Sequence, residues 1–320
     1  MASLALGVDL GGTNARAAVV DRDSGEILAA HKEPLRTREP EAVVDTVAHA
    51  IQEAADAQGV SAASFGRLGV GVAGQCLGSS GVVLNAPNLG WRDVRFGELL
   101  ERKLGTPVRV ANDLSAAAWG EKAFGAARGI SDVALVFVGS GVGSGLILGG
   151  KLHEGAYGVA GELGHMKVRP SRPGTAVRRC GCGMEGCLEA YTSGMNISAR
   201  VREELAGGAA SRVGALVGGD VGRVTASVVD QAFAEGDDYA RALWEEVAEL
   251  LGGAIANVVT LLNPARVILG GGVVLGCPQL AALTLAQFER QVSASARRGL
   301  SVERAFLGDD AGVIGAALLE

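Results

Sequence analysis

The chain has 320 residues, 48% of them hydrophobic, and a formal charge of −6. Its length exceeds one ordinary core and favours about two domains. The acidic balance argues against nucleic acid or an anionic membrane surface as partner, since it attracts neither polyanion.

The opening MASLALGVDL has no basic leader and runs straight into a patterned segment, so no secretory signal is expected and the cytoplasm is the expected compartment. Residues 4–8 and 15–20 are apolar and rich in β-formers on either side of DLGGTN, which predicts a strand, a glycine turn and a second strand. EAVVDTVAHAIQEAADA then carries Val43, Val44, Val47, Ile51 and Ala54 at helical spacing and stops at Gly59. Strands follow at 68–73 and 107–111, the second feeding a helix over NDLSAAAWGEKAFG. The opening figure returns at 133–149, where VALVFV and GLILG flank GSGVGS. The uncharged run 133–150 is long enough to suggest a membrane span, but its six glycines and two serines favour two short strands and a turn. Residues 239–262 read as a long helix stopped by Asn263 and Pro264, and RVILGGGVV as a buried strand and glycine turn. Strands alternating with helices predict an α/β fold, and the two similar openings suggest an internal duplication with each half built on one sheet.

CGCGMEGCLEAY, residues 180–191, holds three of the chain's five cysteines. Without an export signal the compartment is reducing, and disulfides seldom persist there. Cys180 and Cys182 are one residue apart, a spacing that strains an internal disulfide but lets a glycine-rich turn aim several thiolates at one ion. Three thiolates need a fourth ligand, and the nearest upstream histidine is His165 in GELGH. The expectation is a structural zinc site of His165, Cys180, Cys182 and Cys187, with free thiols in a loop as the alternative. Cys76 and Cys277 stand among apolar and glycine residues and read as buried small hydrophobes.

Glycine turns close three strands: GGTN (11–14), GSGVGSG (139–145) and GGGV (270–273). Glycine lets backbone N–H groups approach phosphate oxygens with no Cβ in the way. Each alone fits an ordinary tight hairpin. GSGVGSG is followed by a strand rather than the helix a dinucleotide fingerprint requires, and GLILGGK has Leu152 where a phosphate-binding loop needs Ser or Thr. Together the three turns point to a nucleotide lying across a cleft. Asp9, beside GGTN, suits either a turn cap or a Mg²⁺ carried by phosphates. Asn112 and Asp113 sit where a strand becomes a helix. Capping needs only one of them, so the pair can also offer a carboxylate to a ligand. Glu162 lies three residues before His165, and Glu189 two after the last thiol. A metal that gathers the thiols and His165 would bring these carboxylates together beside a polyhydroxylated substrate.

GVDLGGTNARAAVVD, APNLGW, ANDLSAAAWGE, GSGVGSGLILGG, GELGHM, CGCGMEGCLEAYTSG and NPARVILGGGV together resemble the ROK family of repressors, open reading frames and kinases, near its bacterial glucokinases. The resemblance runs from Gly7 to the C-terminal GDDAGVIGAA. It implies the actin-like ATPase (ribonuclease H-like) fold, with a small and a large α/β domain closing over sugar and ATP. On that basis residues 1–117, joined by a C-terminal helix at 309–320, would form the small domain, and 118–308 the large one with a zinc loop at 165–187. It also implies Asp113 as catalytic base for phosphorylating the 6-hydroxyl of glucose or a related hexose. Asn112, Glu162, His165 and Glu189 would hold sugar hydroxyls, with Gly74 and Asn88 lining the same pocket. Asp9, Gly11, Gly12, Thr13 and Asn14, with Gly139, Ser140, Gly141, Val142 and Gly143, would embrace the phosphates and Mg²⁺, and Gly271 and Gly272 would lie against adenosine. A homodimer or homotetramer is usual for such proteins. Two segments depart from the family pattern, GVAGQCLGSSGVV and the basic RPSRPGTAVRR, and both bear on sugar choice between glucose, mannose, N-acetylmannosamine and N-acetylglucosamine. The family's sugar-responsive repressors carry an N-terminal helix-turn-helix, whereas here the phosphate motif's strand begins by residue 4. A non-catalytic actin-like ATPase would lack the sugar-directed residues.

Overall fold

A computed structural model describes residues 3–78, 80–171 and 175–319. The strands are β1 (Leu4–Leu10), β2 (Asn14–Asp21), β3 (Ile27–Pro34), β4 (Leu68–Val72), β5 (Gln75–Leu77), β6 (Val82–Ala86), β7 (Trp91–Val94) and β8 (Val108–Asn112) in the first part. Then come β9 (Val133–Val138), β10 (Val142–Leu148), β11 (Lys151–Leu152), β12 (Arg266–Gly270) and β13 (Ser301–Arg304). Two compact units result. One comprises Met1–Val133, Gly145–Gly161 and Ala305–Glu320, the other Ala134–Ser144 and Glu162–Arg304.

In the first unit a five-stranded sheet has the order β3-β2-β1-β4-β8. β1 pairs antiparallel with β2 and parallel with β4, and β4 parallel with β8. The two-residue period of β1 decides what covers each face. Leu6, Val8 and Leu10 join Val43, Val47 and Ile51 of the helix Pro40–Ala57 in one core, while Ala5, with Ala18 and Val20 of β2, packs on Val313, Ile314 and Ala317 of the C-terminal helix Ala311–Ala317. That second face is built from small residues. A Cβ on Gly7 would stand 2.3 Å from the Val313 carbonyl oxygen, and one on Gly69 1.8 Å from that of Ala316. Buried Glu121 ties down the approach to this helix, its Oε1 accepting from the Phe306 and Leu307 N–H groups, each at 2.8 Å. A small antiparallel sheet, β5-β6-β7, is a feature sequence patterning does not reveal, because its strands are three to five residues long.

The other five-stranded sheet has the order β11-β10-β9-β12-β13, with Ile147 of β10 pairing with Leu152 of β11. The order of the first sheet is thereby repeated, as the duplicated openings suggest. The uncharged run at 133–150 is two strands, and no described helix is long and apolar enough to cross a membrane. The largest buried side chains of the second unit are Trp244, Tyr191 and Phe288, with Trp244 Nε1 donating to Asp230 Oδ1 at 2.7 Å. The long helix runs from Asp238 to Leu262 and ends at Asn263 in the left-handed region (φ 44°), which asparagine tolerates and Pro264 fixes as a stop.

Candidate active site

Each unit carries part of the predicted constellation. In the first, the GGTN turn at the end of β1 closes on itself, Gly11 N–H donating to the Asn14 carbonyl at 3.0 Å, and Leu35 N–H donates to that of Thr13 at 2.8 Å. Gly12 needs to be glycine, since a Cβ there would stand 2.7 Å from the Cβ of exposed Asn88. Those two predicted residues are therefore neighbours. Asp9 points to the face of β1 covered by the C-terminal helix, with its carboxyl carbon 3.6 Å from where a Cβ on Gly312 would be. Burial pushes this carboxyl above the usual carboxylate range; Arg16 opposes the shift and Asp309 reinforces it.

At the end of β8 the division of labour left open by the sequence is resolved. Asn112 is the cap of the helix Asp113–Phe124, its Oδ1 accepting from Leu114 N–H at 2.9 Å and Ser115 N–H at 3.1 Å. Its Nδ2 donates to the Gly74 carbonyl at 3.0 Å, which brings a third predicted residue into the group. Asp113 is the first helical residue, and its Oδ1 also accepts from the Leu114 N–H at 2.9 Å. A helix start is a favourable place for a carboxylate, since the macrodipole and unpaired N–H groups stabilise negative charge there.

In the second unit the glycine turn is shorter than the motif suggests. β10 begins at Val142, so Val142 and Gly143 are strand residues and the turn is 139–141, closed by Gly139 N–H donating to the Gly141 carbonyl at 2.9 Å. Three other segments converge on it. Gly194 N–H donates to the Gly139 carbonyl at 2.8 Å. A Cβ on Gly164 of GELGH would collide with the Val142 carbonyl at 2.1 Å, and Gly271, at φ 90°, packs on the backbone of Val138. Glu189, first residue of the short helix Glu189–Thr192, accepts from the Val142 N–H through Oε2 at 2.9 Å. GGGV is therefore not only a turn, for Gly272 starts a single helical turn, Gly272–Gly276. Sequence reasoning assigns no role to Gly164 or Gly194. Only their lack of a side chain, which permits the close packing, could have signalled one.

The thiol cluster lies on the other side of Glu189, whose Oε1 is 3.6 Å from Cys180 Sγ. One ligand atom from each of His165, Cys180, Cys182 and Cys187 lies within 4.8 Å of all the others. Cys182 and Cys187 sulfurs are 3.7 Å apart, and Cys180 Sγ is 3.8 Å from His165 Nδ1. A tetrahedral zinc with Zn–S near 2.3 Å and Zn–N near 2.0–2.1 Å sets these separations at about 3.8 and about 3.6 Å, so the donor set fits. The other imidazole nitrogen, Nε2, faces Glu162 Oε2 at 3.5 Å, the arrangement in which a carboxylate orients a metal-bound histidine. Burial pushes the Cys180 thiol up to about 12. At Cys182 burial acts the same way but is outweighed, first by the Met184 N–H and then by the neighbouring thiols, leaving it below the usual thiol range. A cation would remove the conflict by taking all three sulfurs as thiolates. The loop that presents them is pinned by isolated bridges, Lys167 with Cys187 and Arg179 with Glu185. Ser79 and residues 172–174, in the two segments that depart from the family pattern, lie outside the described residues.

The family model described as "ROK family" matches residues 5–320. The chain belongs to the ROK family. It is similar to the glucokinase of Streptomyces coelicolor, at 35% identity over 98% of this chain and 96% of the relative. At 33% identity, over 98% of this chain and 97% of the relative, it is similar to the N-acetylmannosamine kinase of Escherichia coli. Among solved structures, the ROK family glucokinase of Streptomyces griseus in complex with glucose and AMPPNP matches with a TM-score of 0.79 and 35% identity, covering 98% of each chain. The actin-like ATPase fold expected of a ROK protein is thus the fold of this one, with the repeated five-stranded order as its mark.

Proposed function

We propose that the chain is an ATP-dependent hexose kinase that phosphorylates the 6-hydroxyl of glucose. The observation that carries this reading is end-to-end similarity to ROK glucokinases, one of them bound to glucose and an ATP analogue. The presence of Asn112, Asp113, Glu162, His165 and Glu189 supports it. A sugar primary hydroxyl is a poor nucleophile. In this reading Asp113 takes its proton as the new phosphorus–oxygen bond forms, and ADP leaves with the electrons of the broken bond. Asn112, held by its cap bonds and by Gly74, orients a neighbouring hydroxyl, and Asn88 lines the same pocket. Glu162 and Glu189 accept from further ring hydroxyls, and His165 Nε2 adds another polar contact. Residues 11–14 and 139–143, with Asp9, receive the phosphates, while Gly271 and Gly272 lie against the adenosine. Magnesium bound with ATP would offset charge on the transferring group. Zinc held by His165 and the three cysteines would keep Glu189 and His165 in position and take no part in the chemistry. The compartment proposed is the cytoplasm, which suits five free cysteines, and the assembly a homodimer or homotetramer, measurable by sedimentation.

A coupled ADP-release assay across a hexose panel tests the reading. Glucose is expected to exceed 2-deoxyglucose and N-acetylated sugars in kcat/KM, because buried polar groups left without a hydroxyl discriminate by up to about 10⁴-fold. If N-acetylmannosamine is the better substrate, as the similarity to that kinase allows, the glucose assignment falls and the sugar-kinase one stands. ADP release with no hexose in the panel removes both.

A further inference from the structure

Among the described residues a second group of metal-ligating side chains lies in the first unit, made of residues given no role above, with Glu33 paired to Ala15 beside the GGTN turn. β3 is the edge strand of its sheet, and two-residue alternation puts His31 and Glu33 on one face of it. His49 reaches the same place from the helix Pro40–Ala57, and His49 and Glu53 share a helix face at i, i+4 spacing. Glu33 Oε2 is 2.5 Å from His49 Nδ1 and 3.4 Å from His31 Nε2, and the two imidazoles meet edge to face with centroids 5.9 Å apart. One ligand atom from each of the three falls within 4.8 Å of the others. The chain has four histidines, so two of them are spent on this patch.

We propose that His31, Glu33 and His49 form a surface site for a divalent transition-metal cation. Two imidazoles and one carboxylate on one side of an ion are a recurring ligand set for borderline cations of this series, leaving the remaining positions to water. The side chains are 35%, 24% and 56% exposed, so a hydrated ion can reach them and keep part of its shell. Metal–nitrogen and metal–oxygen bonds near 2.0–2.2 Å set ligand separations of about 3.0–3.4 Å. The His31–Glu33 distance already fits, and the His49–Glu33 contact must open by about half an ångström. His49 Nε2, on the far side of the ring from the shared carboxylate, faces Glu53 Oε1 at 3.6 Å, so an outer carboxylate is in place to fix the ring and raise its basicity. An ion here would clamp the edge strand to the helix that covers it.

The test is calorimetric titration of nickel(II) alone into the zinc-loaded protein and its variants. The parent is expected to take up one nickel per chain. His31→Ala and His49→Ala should each abolish that step, and Glu53→Gln should weaken it by about 10- to 100-fold, as loss of an outer partner does. Nickel should also raise the parent's Tm and leave that of His49→Ala unmoved, because only a ligand bound to the folded state stabilises it. Circular dichroism and unchanged hexose turnover will confirm that these surface variants are folded. Equal nickel binding by parent and His49→Ala, no binding by the parent, or a thiolate-to-nickel absorption band that places the metal at the cysteines would each overturn the proposal.

Discussion

The two glycine turns are copies of one device tied to different neighbours. Each closes on itself, through Gly11–Asn14 after β1 and Gly139–Gly141 after β9, and the first packs at Gly12 on the distant Asn88. The turn after β9 is also held by a charged side chain, the Glu189 carboxylate on Val142 N–H, and by Gly194 on Gly139. Glu189 in turn abuts Cys180, so the second turn inherits whatever order the thiol loop has. One strand–turn–strand figure is thus tied to its surroundings by backbone and close packing in one unit, and in the other also by a carboxylate that touches the thiol loop.

The largest expected effect strikes the dependent turn. Cys182→Ser should remove about one zinc per chain by elemental analysis and abolish most hexokinase activity, since such a metal contributes on the order of 10 kcal/mol to ordering its loop. Full activity in a metal-free preparation would uncouple the two features and end the contrast. Next comes Asp113→Asn in the first unit, expected to lower kcat by about 10²- to 10⁴-fold while leaving sugar binding and Tm nearly unchanged. Retention of more than about a tenth of parental kcat would mean that another group is the base. A matched pair then separates the turns directly. Gly12→Ala forces a Cβ against Asn88 and should destabilise the fold by about 1–3 kcal/mol in urea denaturation. Gly141→Ala meets a side-chain end, the Glu189 Oε2 that accepts from Val142 N–H, 2.8 Å away, and should cost less stability than Gly12→Ala while raising the KM for ATP. If the two lose equal stability, the carboxylate cannot give way and the two turns are held alike. The smallest effect is that of Asn112→Ala, where loss of the cap should lower stability by about 1 kcal/mol.

Features that rest on neighbours in sequence were readable before any coordinates. The strand–turn–strand openings, the Asn112 cap and the arrest of the long helix at Asn263 each follow from a few consecutive residues. The cysteine cluster with His165 was also readable, because metal chemistry limits spacing more than fold does. The Glu189–Val142 bond, the Gly12–Asn88 contact and the β5-β6-β7 sheet were not. The first two join distant segments through one atom pair, and the third has strands too short for a period to show. GSGVGSG reads as a turn along its whole length, but glycine signals only permission to bend, and the ladder of β10 overrides it from Val142 onward.

The docking of Ala311–Ala317 onto Gly7 and Gly69 has a consequence for how the protein is made. The first unit is discontinuous in the chain, with the second unit's segments threaded between its pieces. While a ribosome is still short of residue 311, β1 and β4 have no cover for their small-residue face, and the buried carboxylate of Glu121 lacks the Phe306 and Leu307 amides that satisfy it. The second unit's last segment ends at Arg304, before the first unit's final piece begins. β1 and β4, among the first strands to be translated, can therefore complete their packing only after the last helix has been made.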